Sequence, residues 1–173
     1  MVVCPGMRLI PLVFITAACG GGMAESPLTI PLGITHAATD QALHAHQFCR
    51  KEGQVDARQQ LYPRCDRAGA EVSEAWVTAI FEGDRLVELR RWERFADDAR
   101  ALERWNELLA ARMKASTPSE EALQGLRDKG ELQAGTKSVK AFRADDGAIV
   151  GVFLLTPSPP ENAAILEKIT YPK

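Results

Sequence analysis

Residues 72–95 read VSEAWVTAIFEGDRLVELRRWERF, and the fold class turns on them. Val72 to Phe81 is dense in Val, Trp, Thr, Ile and Phe, which suit a pleated, half-buried surface. Glu82-Gly83-Asp84 breaks the run, and Leu86 to Phe95 resumes it. Two β-rich runs around a short Gly-containing turn specify a β-hairpin. Along the second run Glu88, Arg90, Trp92 and Arg94 alternate onto one face, while Val87, Leu89 and Phe95 take the other.

Downstream, the pattern changes from period two to helical spacing. Leu102, Trp105, Leu109 and Met113 recur as one apolar stripe over a helix from about Asp97 to Lys114. Asp97 and Asp98 suit its positive N-terminus. Thr117-Pro118-Ser119-Glu120 is a capping-box pattern with proline at the first helical position. It predicts a short third helix to about Asp128, ended by Gly130. Thr136 to Ala144 and Ala148 to Thr156 form a second hairpin around Asp145-Asp146-Gly147. The apolar run Ile149 to Leu155 reads as a strand covered on both faces. Pro157-Ser158-Pro159-Pro160 is a loop. Ahead of the last segment, Ala163 to Tyr171, Ser158 and Glu161 could cap a helix, but Ile165, Glu167, Ile169 and Tyr171 alternate, and strand is the preferred reading.

Upstream, Ala37 to Glu52 holds good helix formers, with Gly53 as its stop. Val55 to Tyr62 alternates weakly as an edge strand closed by Pro63, and Asp66 to Gly69 reads as a turn. The expected fold is therefore α+β: an antiparallel sheet of two or more hairpins, packed on one face by two or three helices. An internal echo supports two tandem α-then-β units sharing that sheet. Val77-Thr78-Ala79, a turn, then Leu86-Val87-Glu88-Leu89 matches Val139-Lys140-Ala141, a turn, then Ile149-Val150-Gly151-Val152. In order of elements this plan resembles the tandem modules of beta-lactamase inhibitory protein and the small lipoproteins that serve outer-membrane assembly. That likeness is one of architecture, which does not carry function.

The N-terminus gives an address. Arg8 precedes a ten-residue apolar run, Leu9 to Ala18. That length fits a signal-peptide core and is too short to span a bilayer. It ends Thr16-Ala17-Ala18-Cys19, which resembles the lipobox of bacterial lipoproteins, where a cysteine thiol is acylated before cleavage. The resemblance covers only about the first twenty residues and implies lipid, palmitate among it, on Cys19. It divides the chain into a signal peptide, 1–18, a lipidated cysteine and flexible tether, 19–35, and one globular domain, 36–173. Gly20-Gly21-Gly22, Pro27, Pro31 and Gly33 are the tether's features. Met1 and Met7 both stand as starts.

The net charge of −2 gives no support for nucleic-acid binding. The chain has four cysteines. With Cys4 in the signal and Cys19 acylated, Cys49 and Cys65 are left as a pair for a disulfide in an oxidising compartment.

Three histidines, His36, His44 and His46, lie close together with Asp40 among them. On one straight helix His36 and His44 would stand about 12 Å apart, too far for one ion whose ligands sit at about 2 Å. His46 points to another side. No metal site and no cofactor are expected. Cys49 follows His46 by three, so a Cys–His nucleophile is conceivable, but the partner Cys65 and the exported address favour the disulfide. No Gly-x-Ser-x-Gly, His-Glu-x-x-His or phosphate-loop pattern occurs. Acidic pairs such as Glu71 with Glu74 and Asp145 with Asp146 read as solvated charge.

The candidate binding residues are Arg90, Trp92 and Arg94, since arginine and tryptophan are enriched at interface hot spots. The alternative reading puts a helix over that face, with Trp92 in the core. The expectation is a non-enzymatic envelope lipoprotein, anchored to the bilayer through Cys19 and facing the periplasm from the outer membrane in a Gram-negative cell. It would act as a protein-binding, assembly or inhibitor module on an envelope protein. A small hydrolase or metal-dependent enzyme using the helix-one histidines is the alternative, and a structural envelope component the third.

Overall fold

A computed structural model describes residues 26–54, 56–67, 75–156 and 163–172. The signal segment, Cys19, the glycine run, Val72 to Glu74 and the 157–160 loop lie outside the described residues. The chain runs α1 (His36–Ala45), β1 (Gln59–Pro63), a 3-10 turn (Cys65–Arg67), β2 (Ala75–Glu82) and β3 (Arg85–Arg94). It continues through α2 (Asp98–Ala115), β4 (Thr117–Pro118), α3 (Glu120–Asp128), β5 (Thr136–Arg143), β6 (Ile149–Leu155) and β7 (Ala164–Thr170). The class is α+β.

All strands join one antiparallel sheet of order β1-β2-β3-β7-β6-β5-β4. Two three-stranded meanders, β1-β2-β3 and β5-β6-β7, meet at their last strands. Each is preceded by helix, so the tandem plan is present. The equivalence differs from the one read in sequence: β3 pairs with β7, which matches β2-β3 to β6-β7 rather than to β5-β6. Both hairpins share the same local pattern, so sequence could not choose between them.

Helices lie on both faces, not one. Successive residues of β6 belong to opposite cores. Val150, Val152 and Leu154 pack with Leu43 of α1 and Ala101 and Leu108 of α2. Ile149, Phe153 and Leu155 pack with Ala122, Leu123 and Leu126 of α3. Every residue of β6 is buried, which is why this strand carries no alternation. Gly151 is required there. A Cβ at this position would lie 2.7 Å from the Phe153 ring and 3.1 Å from Leu126, so a side chain would collide with the ring and crowd Leu126 of α3.

Several boundaries depart from expectation. The first helix stops at Ala45, not Glu52. Gln47 adopts a left-handed conformation (φ 63°) and Phe48 turns back to bridge Arg64. Phe48 is 1% exposed, and its burial outweighs the helix propensity of the residues after it. The third helix is capped by Ser119, whose hydroxyl accepts from Ala122 N–H. Thr117-Pro118 instead pairs with Arg143 and Phe142 as a two-residue strand. In α2 the buried positions are Ala101, Leu108 and Arg112, while Leu102 and Met113 are 47% and 60% exposed. The apolar stripe is thus rotated, because a buried arginine takes one core position.

The later part of the expected tether, 19–35, is packed against the body. From Leu28 the chain lies on the α2 face as a strap with strand-like alternation: Leu28, Ile30 and Leu32 are buried, Thr29 and Pro31 exposed. Buried charge holds it. Glu167 is fully buried, with Arg91 at 3.0 Å and Arg112 at 2.5 Å. Arg91 donates to Ser26 C=O at 2.6 Å, Arg112 donates to Leu28 C=O, and Leu28 N–H reaches the Glu167 carboxylate at 3.5 Å. Gly33 N–H donates to Leu86 C=O at 2.7 Å, which seats the strap's end beside the β2-β3 turn.

Candidate functional site

α3 packs on one sheet face over β5, β6 and β7; among the described residues no helix packs on the other half of that face, over β1, β2 and β3. Its residues are set by register. Trp76 of β2 stands directly opposite Trp92 of β3. Their rings stack at 6.0 Å between centroids with 14° between planes. Both are half-buried. Arg94 lies with its guanidinium carbon 5.0 Å from the centre of the Trp76 ring, within cation–π range. Trp92 also rests against the core under α3, beside the cluster of Leu123, Leu126 and Leu166.

The three sequence-selected residues share this face but differ in state. Arg94 is exposed. Arg90 is held by Glu88, an ion pair along its own strand. Trp92 is neither a free surface residue nor a full core residue; it links the two. Beside them Lys168 of β7 is 5% exposed and bridges Glu88 at 3.3 Å and Glu131 at 2.9 Å. That pair of carboxylates fixes the floor of the face.

Sequence reasoning did not single out Trp76. A β-bulge between Ile80 and Phe81 shifts the β2-β3 register by one. Counting back from the Glu82–Arg85 pair without the bulge would place Trp76 opposite Arg91, on the other face. One such step exchanges the faces of a strand. The signal available was the pair of tryptophans flanking one hairpin, not their register.

A second constellation lies at the end of α1. The Sγ atoms of Cys49 and Cys65 are joined as a disulfide, with a sequence separation of 16. A loop of that size stabilises by about 3 kcal/mol in the chain-entropy model. Cys49 N–H donates to Pro63 C=O and Cys65 N–H to Gln47 C=O, both at 2.9 Å. A ring nitrogen of His44 lies within 4.8 Å of both sulfurs. His46, the neighbour suggested by spacing, is instead the C-cap of α1. His36 stacks on Phe81 at 3.6 Å and meets Gly83 C=O at 3.4 Å. The helix-one histidines therefore serve three different places. Asp40 accepts from the Tyr62 hydroxyl at 2.6 Å. Burial, and then Asp40's hydrogen bond and charge, push the Tyr62 phenol far above its ordinary pKa.

A cleft of about 260 Å³ lies beside the strap, lined by Leu28, Ile30, Arg112, Asp145, Val150 and Ile169 among others. Among the described residues no helix is long and apolar enough to cross a membrane. Comparison with protein-family models, with curated proteins and with solved structures gives no match to this chain.

Proposed function

We propose that this chain is a lipid-anchored envelope protein, held to a membrane through acylated Cys19, whose folded body binds another envelope protein without catalysing a reaction. The observation that carries the binding role is the stacked Trp76–Trp92 pair beneath Arg94, on the half of the sheet that α3 leaves uncovered. Two rigid aromatic rings offer a large contact at low entropic cost, and an exposed guanidinium can make forked bonds to a partner carboxylate. The partner surface this fits is apolar with an acidic rim. Arg90, already paired with Glu88, contributes shape rather than a free charge. The address rests on the Thr16-Ala17-Ala18-Cys19 resemblance and on the paired cysteines expected of an exported chain.

The test is site-specific photocrosslinking in living cells, with the crosslinker placed at position 94 and, as a control, at exposed Lys114 on α2. A discrete adduct from position 94 alone, lost on Trp76→Ala, supports the reading. Equal or absent adducts from both positions overturn it. Arg94→Glu should remove the adduct formed from a crosslinker at position 90 while leaving the melting temperature within about 2 °C, since an exposed substitution changes stability by about 0.5 kcal/mol or less.

A further inference from the structure

We propose that the Cys49–Cys65 pair, once reduced, becomes with His44 a three-ligand site for a thiophilic cation of the Zn(II) or Cu(I) class. This reading is independent of the sheet face. It rests on where the fold puts one imidazole and two sulfurs. The donor atoms of His44, Cys49 and Cys65 all lie within 4.8 Å of one another. In a tetrahedral site with zinc–sulfur bonds of about 2.3 Å and zinc–nitrogen bonds of about 2.0–2.1 Å, ligand atoms stand roughly 3.5–4 Å apart. Once the S–S bond is opened, side-chain rotation has to part the two sulfurs to that spacing, with the imidazole already beside them.

Backbone contacts tie the ligands' positions together beside the disulfide. The Phe48–Arg64 bridge and the two hydrogen bonds from Cys49 and Cys65 pin both cysteines across a short ladder. Gln47, in its left-handed conformation, turns the chain straight from the last turn of α1, which carries His44, into that ladder. His44 is exposed and both cysteines are half-buried, so a metal and a reductant can reach them. Asp40, one turn before His44, is committed to Tyr62. Three protein donors leave a fourth position to water or an incoming ligand, the arrangement of open rather than closed zinc sites. Thiolates with one imidazole select soft cations over magnesium or calcium.

The chemistry balances with an external dithiol as reductant. Two electrons pass from the dithiol to the disulfide; the donor becomes a cyclic disulfide, and its two protons pass to Cys49 and Cys65. Metal binding then releases those two protons as the thiolates coordinate. The oxidised protein is closed to the ion and the reduced protein open to it, so the site is gated by redox state.

The experiment uses the full chain carrying Cys4→Ser and Cys19→Ser, so that only Cys49 and Cys65 supply thiols. After reduction by a dithiol and its removal without air, the protein is titrated with Zn(II), then with Co(II) to read thiolate-to-metal charge transfer. We expect one equivalent bound by reduced protein and none by oxidised protein. His44→Ala should weaken zinc at least tenfold and alter the cobalt spectrum, while leaving the melting temperature of the oxidised form unchanged. Bound zinc should also slow reoxidation in wild type and not in His44→Ala. If reduction alone abolishes the sheet signal in circular dichroism, one equivalent of zinc should restore it. Equal affinity in wild type and His44→Ala, no binding, or failure to restore the fold would each overturn the proposal.

Discussion

Glu167 holds three segments of the chain together from a fully buried position. Its position on β7 faces Arg91 of β3 in register, and Arg112 reaches it from α2. Burial by itself would raise its pKa. The guanidiniums of Arg91 and Arg112, with hydrogen bonds from Arg112 and Leu28 N–H, outweigh burial and hold the carboxyl below its ordinary range. Removing one partner from a buried ionic cluster leaves uncompensated charge and costs about 3–5 kcal/mol. Glu167→Gln should therefore lose about that much in urea unfolding at pH 7. A depressed folded pKa contributes stability above the unfolded value, near pH 4.3 for a free Glu; that contribution is lost as pH falls through the folded value. The gap between wild type and Glu167→Gln should shrink as pH falls from about 5 toward 2. A constant gap would show that the carboxylate's charge is not what holds the cluster. In sequence Glu167 was legible only as one member of an alternating strand. Its two arginines come from positions 55 and 76 residues away, and no local pattern reports such a meeting.

Elements were legible where local preference and burial agree. The β2-β3 hairpin, α2 and β6 all follow their own composition. The strap did not, because Pro27 and Pro31 read as linker while Leu28, Ile30 and Leu32 alternate as a half-buried extended segment. Proline denies ladder hydrogen bonds, so this segment packs by side chains and is held by arginine donors instead. Leu28 is 1% exposed, and Leu28→Ala should cost about 2–5 kcal/mol. Thr29, next to it and exposed, should tolerate Ala within about 0.5 kcal/mol. Equal small effects at both positions in chemical denaturation would show that the strap adds nothing to the fold. The Trp–Arg face was half legible for a related reason. Period two placed Arg90, Trp92 and Arg94 together, while the bulge that brings Trp76 opposite Trp92 and the reach of α3 are set by tertiary packing.

At the scale of the whole molecule, the strap changes what a lipid anchor would do. At most the residues from Cys19 to Ser26 lie between an acylated cysteine and the packed strap. Fully extended, that stretch reaches about 25 Å at about 3.3–3.6 Å per residue, so a bilayer-anchored body would ride close to the membrane rather than at the end of a long tether. A single acyl chain holds only marginally, and two or more are needed for firm attachment. Cys19→Ser should therefore remain at precursor mass and leave the normal membrane fraction. The body itself should keep its melting temperature, because Leu28, Ile30, Leu32 and the Arg91–Glu167–Arg112 cluster lie on the far side of the change. Fractionation with mass measurement of the N-terminus checks this. Normal processing and unchanged membrane association in the serine variant would sink the anchor. The proposed binding face at Trp76–Trp92 would then have to meet any partner without the nearness to a bilayer that a short tether imposes.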